Sequence, residues 1–362
     1  LVKRVTINAR KLNSPSARLG KTVALLAAAC FSVVFLEGRA SERLMLNFNP
    51  DWKFVREDPP GAQQPGFDDH GWANVSTPHT FNDTDTFDDW SLSNHRGEQN
   101  QWSGRVWYRK PFSAPETWRG KKVFIEFQAA RQVAEVYLNG RLLGVSKTGF
   151  TPFGFDLTPS LRFDQTNILA VMCDNRFVSD PAPKGGRESN GNNHNGNGPT
   201  LTQIAAKVNE AIPEDVDLVT ANQLPWNNPH WHPAHGGLYR NVKLYVTDPL
   251  YISLPLYSFL QTAGPYVYAT NLTSGSPTAN VEIPVQNDRP SNETVEVNAG
   301  FLDAEGHEVL AVKKFAEAKS GEQTRVVLSG VLDHPKFWEP GYPYLYRVMI
   351  SLRVAGTLTD ST

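Results

Sequence analysis

Cysteine is nearly missing from this 362-residue chain: Cys30 and Cys173 are the whole supply, and there are only three methionines. Two cysteines cannot build a disulfide scaffold, and if the first 40 residues are removed on export, Cys173 is left alone. It ends the apolar run Asn167-Ile168-Leu169-Ala170-Val171-Met172-Cys173, where a thiol reads as a small buried hydrophobe rather than a nucleophile. An excess of charge is lacking too. A net charge of -2 and an isoelectric point near 6.5, with basic residues scattered beyond position 21, leave no electrostatic footprint for nucleic acid. Strand-like and helix-like segments do not alternate, so neither a (β/α) barrel nor a dinucleotide-binding fold is expected within these residues.

Long hydrophobic runs are also scarce. The one of note, Thr22 to Leu36, carries no charge and follows Lys3, Arg4, Arg10, Lys11, Arg18 and Lys21. It is short for a membrane span, and Gly38-Arg39-Ala40 supplies the small residues at which signal peptides are cleaved. Residues 1–40 therefore read as a signal peptide, with a secreted or periplasmic product. A membrane anchor is the competing reading, and lipid attachment at Cys30 is a weaker one because the apolar run continues past it.

What the chain does hold is 27 Gly, 26 Pro and nine Trp, a composition of short strands and tight turns. Apolar or alternating runs at 106–112, 122–127 and 133–138 predict antiparallel strands. Asn139-Gly140 predicts a two-residue hairpin turn with Leu142-Leu143-Gly144-Val145 returning. Val242 to Val246 alternates into Asp248-Pro249, where proline's missing N–H stops the pairing. A second series follows at 279–286, 293–299, 325–328 and 345–352, with Asp303-Ala304-Glu305-Gly306 as a turn. These patterns predict an all-β chain with domains over 41–248 and 249–362. The first carries a mobile insertion over about 178–224, poorest in apolar residues at Lys184 to Thr200, with one short surface helix at Leu201 to Ile212.

Three stretches, taken together and in order, resemble the N-terminal region of glycoside hydrolase family 2, in particular its β-galactosidase-like members. The first is Phe48-Asn49-Pro50-Asp51-Trp52-Lys53-Phe54 with Gly71 to Asn82; the second is Trp107 to Phe112 with Ala134 to Gly140 and Gly149 to Phe153; the third is Gly236-Gly237-Leu238-Tyr239-Arg240-Asn241-Val242. Phe337-Trp338-Glu339-Pro340 and Pro343-Tyr344-Leu345-Tyr346 resemble the closing strands of the family's second domain. The resemblance, over roughly 45–362, implies a jelly-roll β-sandwich followed by an immunoglobulin-like β-sandwich. It implies the non-catalytic front part of a glycosidase acting on terminal β-linked sugars, with the catalytic barrel missing. β-Galactoside is the first substrate expected, ahead of β-glucuronide and β-mannoside. A stand-alone carbohydrate-binding or adhesive module is the alternative.

Retaining glycosidases place two carboxylates about 5 Å apart, and in this family the acid commonly follows an asparagine. Asn209-Glu210 and Asn292-Glu293 are the pairs available, one in the insertion and one in a turn, and neither context suits a catalytic acid. The segment Trp226 to His235 concentrates flat aromatic faces, amides and imidazoles suited to sugars. Asn228, His230, Trp231 and His232 are the candidate substrate-rim residues, with packing against another domain as the competing role. A metal site at His230, His232 and His235 lacks a completing carboxylate or cysteine, and Asp83, Asp85, Asp88 and Asp89 read as solvated loop residues before they read as a calcium site. No metal or cofactor is expected. Arg109 and Arg240 are expected to pair carboxylates or carbonyls structurally, and Trp52, Trp72, Trp102 and Trp107 to be core or interface aromatics.

Overall fold

The computed structural model describes residues 43–81, 104–175, 236–256, 260–273 and 275–362. The first strands are β1 (Leu44–Asn47), β2 (Trp52–Val55), β3 (Ala73–Val75), β4 (Arg105–Ser113), β5 (Lys122–Phe127), β6 (Val133–Leu138), β7 (Arg141–Ser146), β8 (Phe153–Asp156), β9 (Thr166–Asp174) and β10 (Val242–Thr247). They form a four-stranded sheet, β1-β10-β5-β8, and a six-stranded sheet, β3-β2-β4-β9-β6-β7. Each ladder is antiparallel. Between the sheets lies one apolar core, to which β5 gives Val123, Ile125 and Phe127, β4 gives Val106 and Tyr108, and β9 gives Leu169, Val171 and Cys173. This is the jelly-roll sandwich.

The unbroken apolar run of β9 has a physical reason. Its alternate residues Ala170 and Met172 face the other way and pack with Trp107 and Ala62 under the 56–72 segment, so the strand is buried on both faces. Arg109, 1% exposed, fastens that cover. Its Nε donates to Asp69 Oδ2 at 2.7 Å and its Nη1 to the carbonyls of Ala62 and of Gln64, the latter at 3.0 Å. Cys173 is fully buried, and burial pushes its thiol well above the ordinary range. At the β6–β7 turn Asn139 and Gly140 take φ of 53° and 85°, the two positive values the predicted hairpin requires.

Beyond Asp248-Pro249 come β11 (Leu250–Ile252), β12 (Tyr266–Thr270), β13 (Thr278–Asn287), β14 (Glu293–Leu302), β15 (Glu308–Ala318), β16 (Gln323–Val331), β17 (Arg347–Val354) and β18 (Thr357–Ser361). Strand β13 pairs β11 and β12 along one side and β16 along the other, and the facing sheet runs β15-β14-β17-β18. Val281, Ile283 and Val285 meet Val295, Val297, Ala299 and Leu352 in a second core. This is the immunoglobulin-like sandwich, and residues 278–287, 293–302, 323–331 and 347–354 realise the predicted series.

Polar groups tie the two sandwiches. Arg43 Nε and Nη2 donate to the two oxygens of Asp360, at 3.1 and 2.6 Å, and Asp360 Oδ2 also accepts the Ile252 N–H at 2.7 Å. Nearby, Asp248 meets Arg289 at 2.9 Å and Lys121 at 3.5 Å, while Lys122 lies 2.6 Å from Asp156 and 3.2 Å from Asp288. Phe124 and Tyr245 pack against Tyr251, Leu254 and Leu256 beside this joint.

Candidate functional site

Gly236 and Gly237 are the pivot of one end of the first sandwich. Gly237 sits at φ 113°, and a Cβ there would overlap the Tyr108 hydroxyl and come within 2.9 Å of the His79 carbonyl oxygen. A Cβ on Gly236 would fall on the Phe81 ring. The two glycines thus let the backbone press against β4 and the 79–81 segment, as a side chain could not. Gly237 exchanges both backbone hydrogen bonds with Arg131, at 2.8 and 2.9 Å, and the His79 N–H donates to the Leu238 carbonyl at 2.8 Å. Tyr108 and His79 Nδ1 lie 2.8 Å apart, and burial holds the Tyr108 phenol well above its usual range, so it stays protonated.

From this pivot, side chains reach out to the other quoted stretches. The Tyr239 hydroxyl donates to the Gly149 carbonyl at 2.8 Å, and the Arg131 guanidinium stands 5.0 Å from the Phe150 ring centroid. Asn241 Nδ2 donates to Gln128 Oε1 at 3.0 Å, and Asn241 Oδ1 accepts from Asn49 Nδ2 at 2.9 Å. Asn49 Oδ1 in turn accepts the Val242 N–H at 2.7 Å and the Thr77 hydroxyl at 2.8 Å. An amide relay therefore joins residues 49, 77, 128 and 241. Beside it opens a cleft of about 490 Å³ lined by Pro78, Glu126, Gln128, Pro152, Tyr239, Arg240 and Asn241. Burial raises the Tyr239 phenol above its ordinary value, with the cations of Arg240 and Arg131 pulling it back.

Comparison with known proteins matches this architecture. Residues 59–180 fit the family model described as glycosyl hydrolases family 2, sugar binding domain, and residues 265–362 fit the model for glycosyl hydrolases family 2. A β-glucuronidase of Formosa agariphila is 41% identical over 322 residues, which are 89% of this chain and 29% of that protein. The chain belongs to glycosyl hydrolase family 2. A β-galactosidase of Bacteroides ovatus is 28% identical over 85% of this chain and 30% of its own length. A solved structure of a family 2 β-glucuronidase superposes with a TM-score of 0.73 at 40% identity, covering 89% of this chain and 30% of that one. The chain thus spans about 30% of the length of these relatives.

For a family 2 chain the carboxylates matter most. Glu126 is the one carboxylate lining the cleft among the described residues, and its Oε2 accepts the Tyr245 hydroxyl at 2.6 Å. Glu293 opens β14 and takes the Ser291 hydroxyl at 3.1 Å and Arg289 at 3.4 Å, an ordinary turn-closing role. Among the described residues the cleft presents amides and the Tyr239 phenol, groups that suit a polar ring, but no second carboxylate to make the acid and nucleophile pair that retaining hydrolysis requires. Among the described residues no cluster of three or more His, Cys, Asp or Glu could hold a metal ion.

The structure treats the two arginines differently. Arg109 is the buried structural cation expected, whereas Arg240 is exposed at the cleft wall. Strand parity alone would turn Arg240 inward with Leu238 and Val242, but residues 238–241 precede β10, outside any strand, and the chain bends at 240, which releases the guanidinium to the surface. Trp52 and Trp107 are core residues, donating their indole N–H to the Phe48 carbonyl at 3.0 Å and to Asp58 at 2.8 Å, and Trp72 packs beside Trp107. Asn228, His230, Trp231 and His232, with the rest of 226–235, lie outside the described residues, as do Trp102, the 83–89 aspartates, Asn209-Glu210 and residues 1–42. Glu126, Gln128 and the Asn49–Asn241 contact went unread in the sequence. Both asparagines stand inside the quoted stretches, but nothing local signals a contact between residues 192 positions apart.

Proposed function

We propose that this chain is the front, non-catalytic part of an exported glycosidase that removes terminal β-linked sugars, and that the preferred substrate is a β-glucuronide. The observation that supports it is the 41% identity to a β-glucuronidase over 89% of this chain but only 29% of the relative. β-Galactoside, the first expectation from sequence, becomes the second choice, since the β-galactosidase named above is 28% identical. In this reading residues 1–40 are a signal peptide, and the product is secreted or periplasmic. The sandwich domains span 41–248 and 249–362, and Asn228, His230, Trp231 and His232 serve as substrate-rim residues. Among the described residues no helix is long and apolar enough to cross a membrane.

The test is to express the longest polypeptide that the reading frame encodes and compare its hydrolysis of nitrophenyl β-glucuronide, β-galactoside and β-mannoside. A kcat/KM at least tenfold higher on the glucuronide is expected. Preference for the galactoside would overturn the substrate, and a frame that ends at Thr362 would overturn the reading as a part. A second reading, a carbohydrate-binding module without catalysis, draws support from the open amide-lined cleft.

A further inference from the structure

Arg240 is a cation of the cleft without a counter-charge. Exposed at the wall, it enters no hydrogen bond or ion pair among the described residues. The carboxylate there is already answered. Glu126 Oε2 accepts the Tyr245 hydroxyl at 2.6 Å, and Lys243 stands opposite Glu126 in the β5–β10 ladder, on the same face of the sheet. Burial holds the Tyr239 phenol above its ordinary value and so neutral at physiological pH, and the charges of Arg240 and Arg131 both reach it. The cleft thus favours an anion, and a guanidinium presents the planar fork of donors that matches a carboxylate in two parallel hydrogen bonds.

The neutral groups beside Arg240 suit hydroxyls. Asn241 Nδ2 donates to Gln128 Oε1 at 3.0 Å, which fixes the Gln128 amide and leaves the donors of its Nε2 for a ligand. The Tyr239 hydroxyl gives its proton to the Gly149 carbonyl at 2.8 Å and keeps its oxygen as an acceptor. Pro78 and Pro152 add apolar ring surface, and the space of about 490 Å³ is that of a small-ligand site. We infer that this cleft binds a uronic acid residue, with Arg240 on the sugar's carboxylate and Gln128 and Tyr239 on its ring hydroxyls. The choice of a sugar acid over other carboxylates rests on the reading of the chain as part of a glycosidase.

Calorimetric titration of the chain at neutral pH with glucuronate, glucose and acetate tests it, since glucose shares the ring hydroxyls and acetate the carboxylate. Glucuronate should bind about fivefold tighter than either, a margin kept small by the hydration of an exposed guanidinium, and added salt should erode it. Arg240→Ala should bring glucuronate down to the glucose affinity, and Arg240→Lys should recover part of the margin. The thermal midpoint of both variants should stay within about 2 °C, because no bond within the described residues is lost. Glucose binding as tightly as glucuronate, no detectable binding of glucuronate, or glucuronate binding unchanged in Arg240→Ala would overturn the inference. So would acetate matching glucuronate, which would mark a simple anion site. The substrate assay is read separately: a longest polypeptide that prefers the β-galactoside overturns the substrate reading and leaves the Arg240 result standing.

Discussion

At Gly237 the requirement is conformational and steric at once. The φ of 113° lies where L-residues are strained, and the space for a Cβ is taken by Tyr108 and the His79 carbonyl. Strain of this kind costs about 1–3 kcal/mol, and the overlap adds to it because both neighbours are buried or backbone. Gly237→Ala should therefore lower unfolding free energy by at least about 2 kcal/mol, measured by urea denaturation of the chain. A change under about 0.5 kcal/mol would show that the 79–81 segment yields freely. Asn241→Ala is milder: it strands Asn49 Nδ2 and Gln128 Oε1, each partly buried, and about 1–2 kcal/mol should be lost.

Between elements, the joint of β1, β11 and β18 rests on one buried carboxylate. Asp360 is 1% exposed, and Arg43, immediately before β1, is its counter-charge. Removing one partner of such a pair is costly, so Arg43→Ala should destabilise the chain by about 3 kcal/mol at neutral pH. The pH dependence has a definite sign. Burial, outweighing Arg43, raises Asp360 above its ordinary 3.8, so just above that value the folded chain keeps a proton that the unfolded chain has lost. Stability must then fall as pH rises through that window. Without Arg43 the carboxyl is pushed higher still, so the deficit of the variant should shrink as pH is lowered toward 4. Denaturation midpoints of both proteins across pH 4 to 7 read this directly, and a deficit that stays constant would sink the account.

The strands that alternate or run apolar, β4 to β6, β10, β13, β14, β16 and β17, were legible because their side chains must sort between a core and a surface. Short edge strands such as β3, exposed along most of its length, carry no such pattern. β15 is largely solvated, so its register shows only once β14 is beside it. The Gly236 to Val242 motif was readable as a unit, yet its role as the meeting point of residues 49, 77–81, 128–132 and 149–152 was not. Those contacts span up to 193 positions and depend on the closed sandwich.

At the scale of the whole molecule, two sandwiches are joined by one buried ion pair, Arg43 with Asp360, and by partly exposed ones around Asp248 and Lys122, and among the described residues the sugar-sized cleft has no paired carboxylates. Catalysis by the retaining route needs an acid and a nucleophile about 5 Å apart, fixed on opposite sides of the bond. Among the described residues Glu126 is the single carboxylate at the cleft, engaged by Tyr245, and Glu293 is tied to Arg289 and Ser291. Residues 41–362 should therefore show no hydrolysis of nitrophenyl β-glucuronide, β-galactoside or β-mannoside above the uncatalysed rate. Binding is a separate matter, because Gln128, Tyr239 and Asn241 can still offer hydrogen bonds to a pyranose. Few oriented groups and an open wall limit the affinity to the millimolar range or weaker, about 4 kcal/mol. Calorimetric titration with glucuronic acid measures it, and Glu126→Gln should leave the absent hydrolysis unchanged. Turnover by residues 41–362 that vanishes in Glu126→Gln or Glu293→Gln would place a working carboxylate on the sandwiches themselves and overturn the proposal that this part is non-catalytic.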